Sequence, residues 1–100
     1  MSLYLVEIRI DVSTPEKRAQ MMERIEQMVK AGGNPTDRLV AGPWACMENP
    51  TVLFVIENPD LNKAMPQIVG LYNAGLVSDS RIRPIIDWEG VKAAVAKAQG

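Results

Sequence analysis

The sequence predicts an α+β domain in the order strand, helix, strand, strand, helix, strand, closed by a tail helix, and three observations carry that prediction. Residues 3–10, LYLVEIRI, alternate apolar and mixed side chains at the period of a strand. Two segments of helical spacing each begin with a polar cap and a proline. The run TVLFVI, leading to Glu57, is β-branched and aromatic, the composition of a well-buried strand.

Taken in order, Tyr4, Val6, Ile8 and Ile10 form a wholly apolar side of the first strand, opposite Leu3, Leu5, Glu7 and Arg9. STPE then announces a helix, with Ser13 as cap, Glu16 three residues on and Pro15 in the first turn. Met21, Met22, Ile25, Met28 and Val29 repeat at helical spacing, Lys17, Arg18, Glu23, Arg24 and Lys30 fall mostly on the other side, and Gly32-Gly33 ends the helix. After the turn Gly33-Asn34-Pro35-Thr36 a strand is expected within Arg38 to Met47, where Gly42-Pro43 marks an edge position or a bulge. Glu48-Asn49-Pro50, with Glu48 solvated, turns the chain into the buried strand, and Asn58-Pro59-Asp60 opens the second helix.

That helix carries a stripe of Leu61, Met65, Ile68 and Tyr72, with Ala64, Val69 and Leu71 beside it; Gly75 caps it, and Pro66 kinks or breaks it. RIRPIID forms the last strand, with Ile82, Pro84 and Ile86 on one side and Arg81, Arg83, Ile85 and Asp87 on the other. Asp87 caps an alanine-rich tail helix over residues 90–98, whose thin ridge is Val91, Ala94, Val95 and Ala98. The order β-α-β-β-α-β is the ferredoxin-like pattern: two helices cover one face of a four-stranded antiparallel sheet, and the first strand lies beside the last.

One hundred residues without a linker or a low-complexity segment fit a single domain, 1–100. A chain that is 47% hydrophobic and 23% charged is globular, and a net charge of -1 lacks the basic excess that a nucleic-acid partner needs. The single cysteine, Cys46, cannot close an internal disulfide, no charged leader precedes the first strand, and the apolar run from Val52 to Ile56 is far too short to span a bilayer. We therefore expect a cytoplasmic protein with no membrane partner. The absence of histidine removes the commonest general base, the usual haem ligand and the commonest zinc ligand. With one cysteine, and neither a GxGxxG nor a P-loop pattern, no metal and no cofactor are expected.

Assigning the apolar side of each strand to the helices leaves the opposite sheet face bare and half charged. Such a face meets a second layer, and the simplest is another copy, so a homodimer is expected. Here the chain resembles the dimeric α/β-barrel superfamily, muconolactone-isomerase-like in size, through TVLFVIENPD followed by a helix and RIRPIIDWEGVKAAV at the end. The resemblance implies that two ferredoxin-like sheets close into a shared barrel, with ligands held between helices and sheet or within the barrel. Its histidine-dependent and haem-binding branches do not fit this chain. Muconolactone-isomerase-like proton transfer, cofactor-free oxidation of an aromatic polyketide and binding without chemistry remain open.

The sharpest candidate constellation is Glu7, Arg9, Arg81 and Arg83, which adjacent strands bring onto one face. A desolvated glutamate can serve as a proton-transfer group and an arginine pair can clamp a carboxylate; the same residues can instead pair with one another and set subunit register. Trp44 and Tyr4 are candidate ligand walls, although both residue types pack more often in cores or interfaces, and Cys46 shares the face of Trp44 as a small apolar filler. Tyr72 can also approach the space between sheet and helices. Met21, Met22, Met28 and Met65 read as adaptable core filling, and Trp88 as a seal on a dimer or sheet edge. Two functions follow: a homodimer that binds a small anionic or aromatic organic molecule, with Glu7 catalytic and Arg9, Arg81 and Arg83 binding, or a non-catalytic regulatory or interaction subunit.

Overall fold

A computed structural model describes residues 2–34, 37–46, 49–58 and 60–99, with the side chain of Leu61 outside the description. The expectations placed on Pro35, Thr36, Met47, Glu48, Pro59 and the Leu61 side chain therefore fall outside the described residues. The elements are β1 (Ser2–Ile10), α1 (Pro15–Ala31), β2 (Gly33–Asn34), β3 (Asp37–Cys46), β4 (Thr51–Asn58), a 3-10 turn (Leu61–Ala64), α2 (Met65–Asn73), β5 (Val77–Ile85) and α3 (Trp88–Gln99). The protein is α+β: the described residues form five antiparallel strands in the order β2-β3-β4-β1-β5, and three α-helices. Four strands were expected; the fifth is the short arm Gly33–Asn34, which pairs with Asp37 and Arg38 instead of forming only a turn.

β1 lies between β4 and β5, with Val6 opposite Phe54 on one side and Ile82 on the other. Alternation sends Val6, Ile8, Val52, Phe54 and Ile56 to one face, where they form the core with Met28 and Val77, joined by half-buried Tyr4, Ile10, Ile25, Leu39, Leu71 and Ile82. β5 begins at Val77 rather than near Arg81, because Val77, Asp79 and Ser80 pair with β1 despite the polar stretch's weak strand propensity, with Ser78 at a register shift. Ile86 lies beyond the end of β5 and is exposed rather than sharing the core side with Ile82. In β3 the register shifts on both sides of Ala41, the bulge expected around Gly42-Pro43, and the Gly42-Pro43 peptide is cis. Gly42 sits at φ +90, and a Cβ there would stand 2.9 Å from the Leu53 carbonyl and 3.1 Å from the Trp44 ring, so only glycine fits.

The helix caps depart from expectation in instructive ways. Thr14, not Ser13, caps α1: its Oγ1 accepts from the Lys17 N–H at 3.2 Å, and Pro15 takes the first helical position, whose missing donor has no partner to lose. Ser13 instead donates its N–H to Asp11 Oδ1. Asp60, not Asn58, caps the 3-10 turn through Asn62, and Asn58 is the last, fully buried residue of β4. Pro66 does break the helix, since α2 starts at Met65 with Pro66 in its first turn. α3 starts at Trp88, two residues before the expected position, with Asp87 Oδ1 accepting the Gly90 N–H at 2.7 Å.

The 3-10 segment also changes which side of α2 meets the sheet. Three residues per turn instead of about 3.6 offsets the phase of everything after it. Ala64 is buried and Ile68 and Leu71 half-buried, whereas Met65, Val69 and Tyr72 point outward. No helix is long and apolar enough to cross a membrane among the described residues.

Candidate functional site

Both helices lie on the Phe54 side of the sheet, α1 through Ile25 and Met28 and α2 through Leu71, with open space lined by both. α2 is short because Pro66 ends it on one side and Gly75, at φ +71, on the other. Small residues, Ala31 on α1, Ala64 in the 3-10 turn and Gly70 on α2, line the space between them without filling it. The result is a cleft of about 440 Å³. That is within the usual range for a small-molecule site, about 300–1,000 Å³.

The cleft is apolar inside and polar at its rim. Its floor is Val6, Ile8, Val52, Phe54, Ile56 and Ile82 of the sheet; its walls are Met21, Ile25 and Met28 of α1 and Ile68 and Leu71 of α2. Arg24, Gln27, Asn34, Asp37 and Gln67 also line it, with Arg24 the one cation and Asp37 the one carboxylate in the set. Asp37 Oδ1 accepts from the Asn34 backbone N–H at 3.4 Å and from Asn34 Nδ2 at 3.3 Å, which ties the β2–β3 arm across one end. Sequence reasoning took Met21 and Met28 as core filling and put Arg24 on the outer side of α1; all three line this cleft. The available signal was Arg24 and Gln27 interleaved with Met21, Ile25 and Met28, polar groups set into an apolar stripe.

The sequence-derived candidates gather on the other face. Register places Trp44, Leu53, Glu7 and Arg81 in one row across four strands, Leu5 and Arg83 in the next row, and Cys46, Thr51, Arg9 and Asp79 in the row on the other side. Glu7 Oε1 meets Arg83 Nη1 at 3.2 Å, Arg38 pairs with Glu57 at 3.3 Å, and Arg81 Nε lies 3.9 Å from Asp79 Oδ2. Glu7, Arg9, Asn49, Thr51, Asp79 and Arg81 line a recess of about 180 Å³. Its two carboxylates balance its two guanidiniums, so the recess is no concentrated anion clamp. Trp44 is 56% exposed and Cys46 is exposed and free.

Tyr4 packs against the core on the helix side, so it and Trp44 lie on opposite faces and do not wall one space. Tyr72 donates its hydroxyl to Ser80 Oγ at 3.0 Å and does not line the cleft. Asn58 is fully buried; its Oδ1 accepts the Asp60 N–H at 2.7 Å, and its Nδ2 has no partner among the described residues. Where α1 begins, Lys17 Nζ holds Asp11 Oδ2 at 2.8 Å. That hydrogen bond first, and those from Ser13 second, hold the Asp11 carboxyl well below the usual carboxylate range. Among the described residues no three His, Cys, Asp or Glu side chains converge as metal ligands.

Compared with known proteins, the chain matches no family model and no curated protein. The functional reading therefore stands on the two sheet faces themselves.

Proposed function

We propose that the protein is a homodimer of the dimeric α/β-barrel kind, its four long strands forming a ferredoxin-like core, and that it binds a small organic molecule in the cleft beneath α1 and α2. The observation that carries this reading is the unfilled space of about 440 Å³ over an apolar sheet, with polar groups only at its rim. The ligand has an apolar or aromatic body that covers Phe54 and Ile82 and a single anionic end directed to Arg24. Muconolactone-isomerase-like proton transfer on such a ligand would fall to Asp37, the one carboxylate in the lining. Glu7 and Arg83, already paired on the bare face, then serve contact with the second copy. That pairing also favours the rival reading, an interaction subunit without chemistry.

Titration with anilinonaphthalene sulfonate, an apolar anion, tests the cleft. Gly70 lines it, and a Cβ at Gly70 meets nothing within 4 Å, so Gly70→Phe has room at its Cβ and adds a ring to the lining. The expected result is dye affinity weakened at least about tenfold, roughly 1.4 kcal/mol, by Gly70→Phe and by Arg24→Gln, with Glu7→Gln unchanged. Dye binding indifferent to Gly70→Phe would move the ligand out of the cleft.

A further inference from the structure

Among the described residues, helix α3 contributes no buried side chain. Its sequence nevertheless carries a continuous stripe at Trp88, Val91, Val95 and Ala98, spaced as a helix that packs along another helix. Trp88 is 69% exposed and Val95 49%. A twelve-residue helix is marginal in water when nothing packs against it, so its stability must come from outside the chain. A second ridge is equally uncovered: Met65, Val69 and Tyr72 on α2, at the same i, i+4, i+7 spacing, are 46%, 48% and 40% exposed.

The size of the uncovered surface says what covers it. The chain exposes 6750 Å², whereas a folded monomer of 11.0 kDa exposes roughly 5,600 Å². The excess, about 1,100 Å², is on the scale of the roughly 800 Å² that each partner gives up in a stable interface. The shape agrees: the radius of gyration is 15.4 Å, against about 13 Å for a compact chain of this length. Two apolar ridges of matching period, both unpartnered on one chain, satisfy each other across a two-fold axis, each copy giving one ridge and receiving the other.

We infer that α3 of one copy packs along the Met65–Val69–Tyr72 ridge of α2 in a second copy, so that the tail helix is exchanged between subunits. This rests on the homodimer reading and adds a contact distinct from the bare sheet face. Because α2 forms one wall of the ligand cleft through Ile68 and Leu71, the exchanged helix also braces that wall from behind.

The test is sedimentation over a concentration series, combined with iodide quenching in a Trp44→Phe background, where Trp88 is the only tryptophan. The expected result is a dimer whose Trp88 becomes shielded as it forms, with Trp88→Asp and Val69→Asp each raising the dimer dissociation constant about thirtyfold. Both positions are exposed within one chain, so folding is retained, which circular dichroism verifies. Paired charges, Val69→Glu with Val95→Lys, restore part of the loss that either single change produces. A dimer that leaves Trp88 fully quenchable at every concentration overturns the exchange and spares the dimer, whereas a monomer at all concentrations overturns both.

Discussion

The two faces of the one sheet are made by the same strands and have opposite characters. On the helix side Val6, Ile8, Val52, Phe54 and Ile56 are buried in an unbroken apolar layer, and a gap between the covering helices leaves room above it. On the other side leucine and valine sit among Glu7, Arg9, Glu57, Arg81 and Arg83, with Glu7 paired to Arg83 and Glu57 to Arg38. A layer with space and few charges suits a ligand whose fit comes from shape. A half-apolar surface with internally paired charges suits a second copy, because the pairs fix register and orientation while the leucines supply the burial.

The sharpest way to break this contrast uses two neighbours on β4. Phe54→Ala removes a core ring and is expected to lose about 3–5 kcal/mol of stability at any protein concentration, read from urea unfolding. Leu53→Ala, on the bare face, is expected to cost less in dilute solution and more as concentration rises, because its burial depends on association. Equal, concentration-independent losses would mean that the two faces are not energetically distinct.

A smaller effect belongs to the ion pair. In the free chain Arg83 is 52% exposed and Glu7 24%, so Glu7→Gln should cost under about 1 kcal/mol in thermal or urea melts of the dilute protein. A markedly greater cost at concentrations that favour the dimer would show that the pair becomes desolvated there.

The smallest effect concerns pH. Folding lowers the pKa of Asp11 through Lys17 and Ser13, so this carboxylate adds stability above its unfolded value, about 3.9, and the gain is lost as pH falls toward the folded value. Asp11→Asn should therefore narrow the stability difference between neutral and acid solution, with its deficit largest near neutrality and fading below about pH 4. A deficit that stays constant through that window would remove the Lys17–Asp11 bond from the account.

Two strands were legible for different reasons: Tyr4 to Ile10 shows an apolar face at a period of two, and Val52 to Ile56 is an unbroken β-branched and aromatic run. The first half of β5 was not, since Asp79 and Ser80 owe their strand geometry to pairing with β1 and not to propensity. The β2 arm was hidden for a related reason: two residues, Gly33 and Asn34, carry no period at all. The outward turn of Met65 and Tyr72 depends on a 3-10 segment that periodicity alone does not announce. Register on the bare face was readable, so Glu7, Arg9, Arg81 and Arg83 fall together there as expected, whereas Trp44 joins them instead of facing Tyr4. A space between helices and sheet was implied by resemblance, without its lining residues being singled out. A cleft arises from what two helices leave unfilled, and such a space leaves no mark in either helix's own sequence.

The most direct test of the two-face account is methyl-resolved NMR, titrating first the protein concentration and then anilinonaphthalene sulfonate. The account predicts that dilution moves Leu5, Leu53 and Val55, whereas the dye moves Ile25, Val52, Ile56 and Ile82. One common set of methyls responding to both titrations would contradict it.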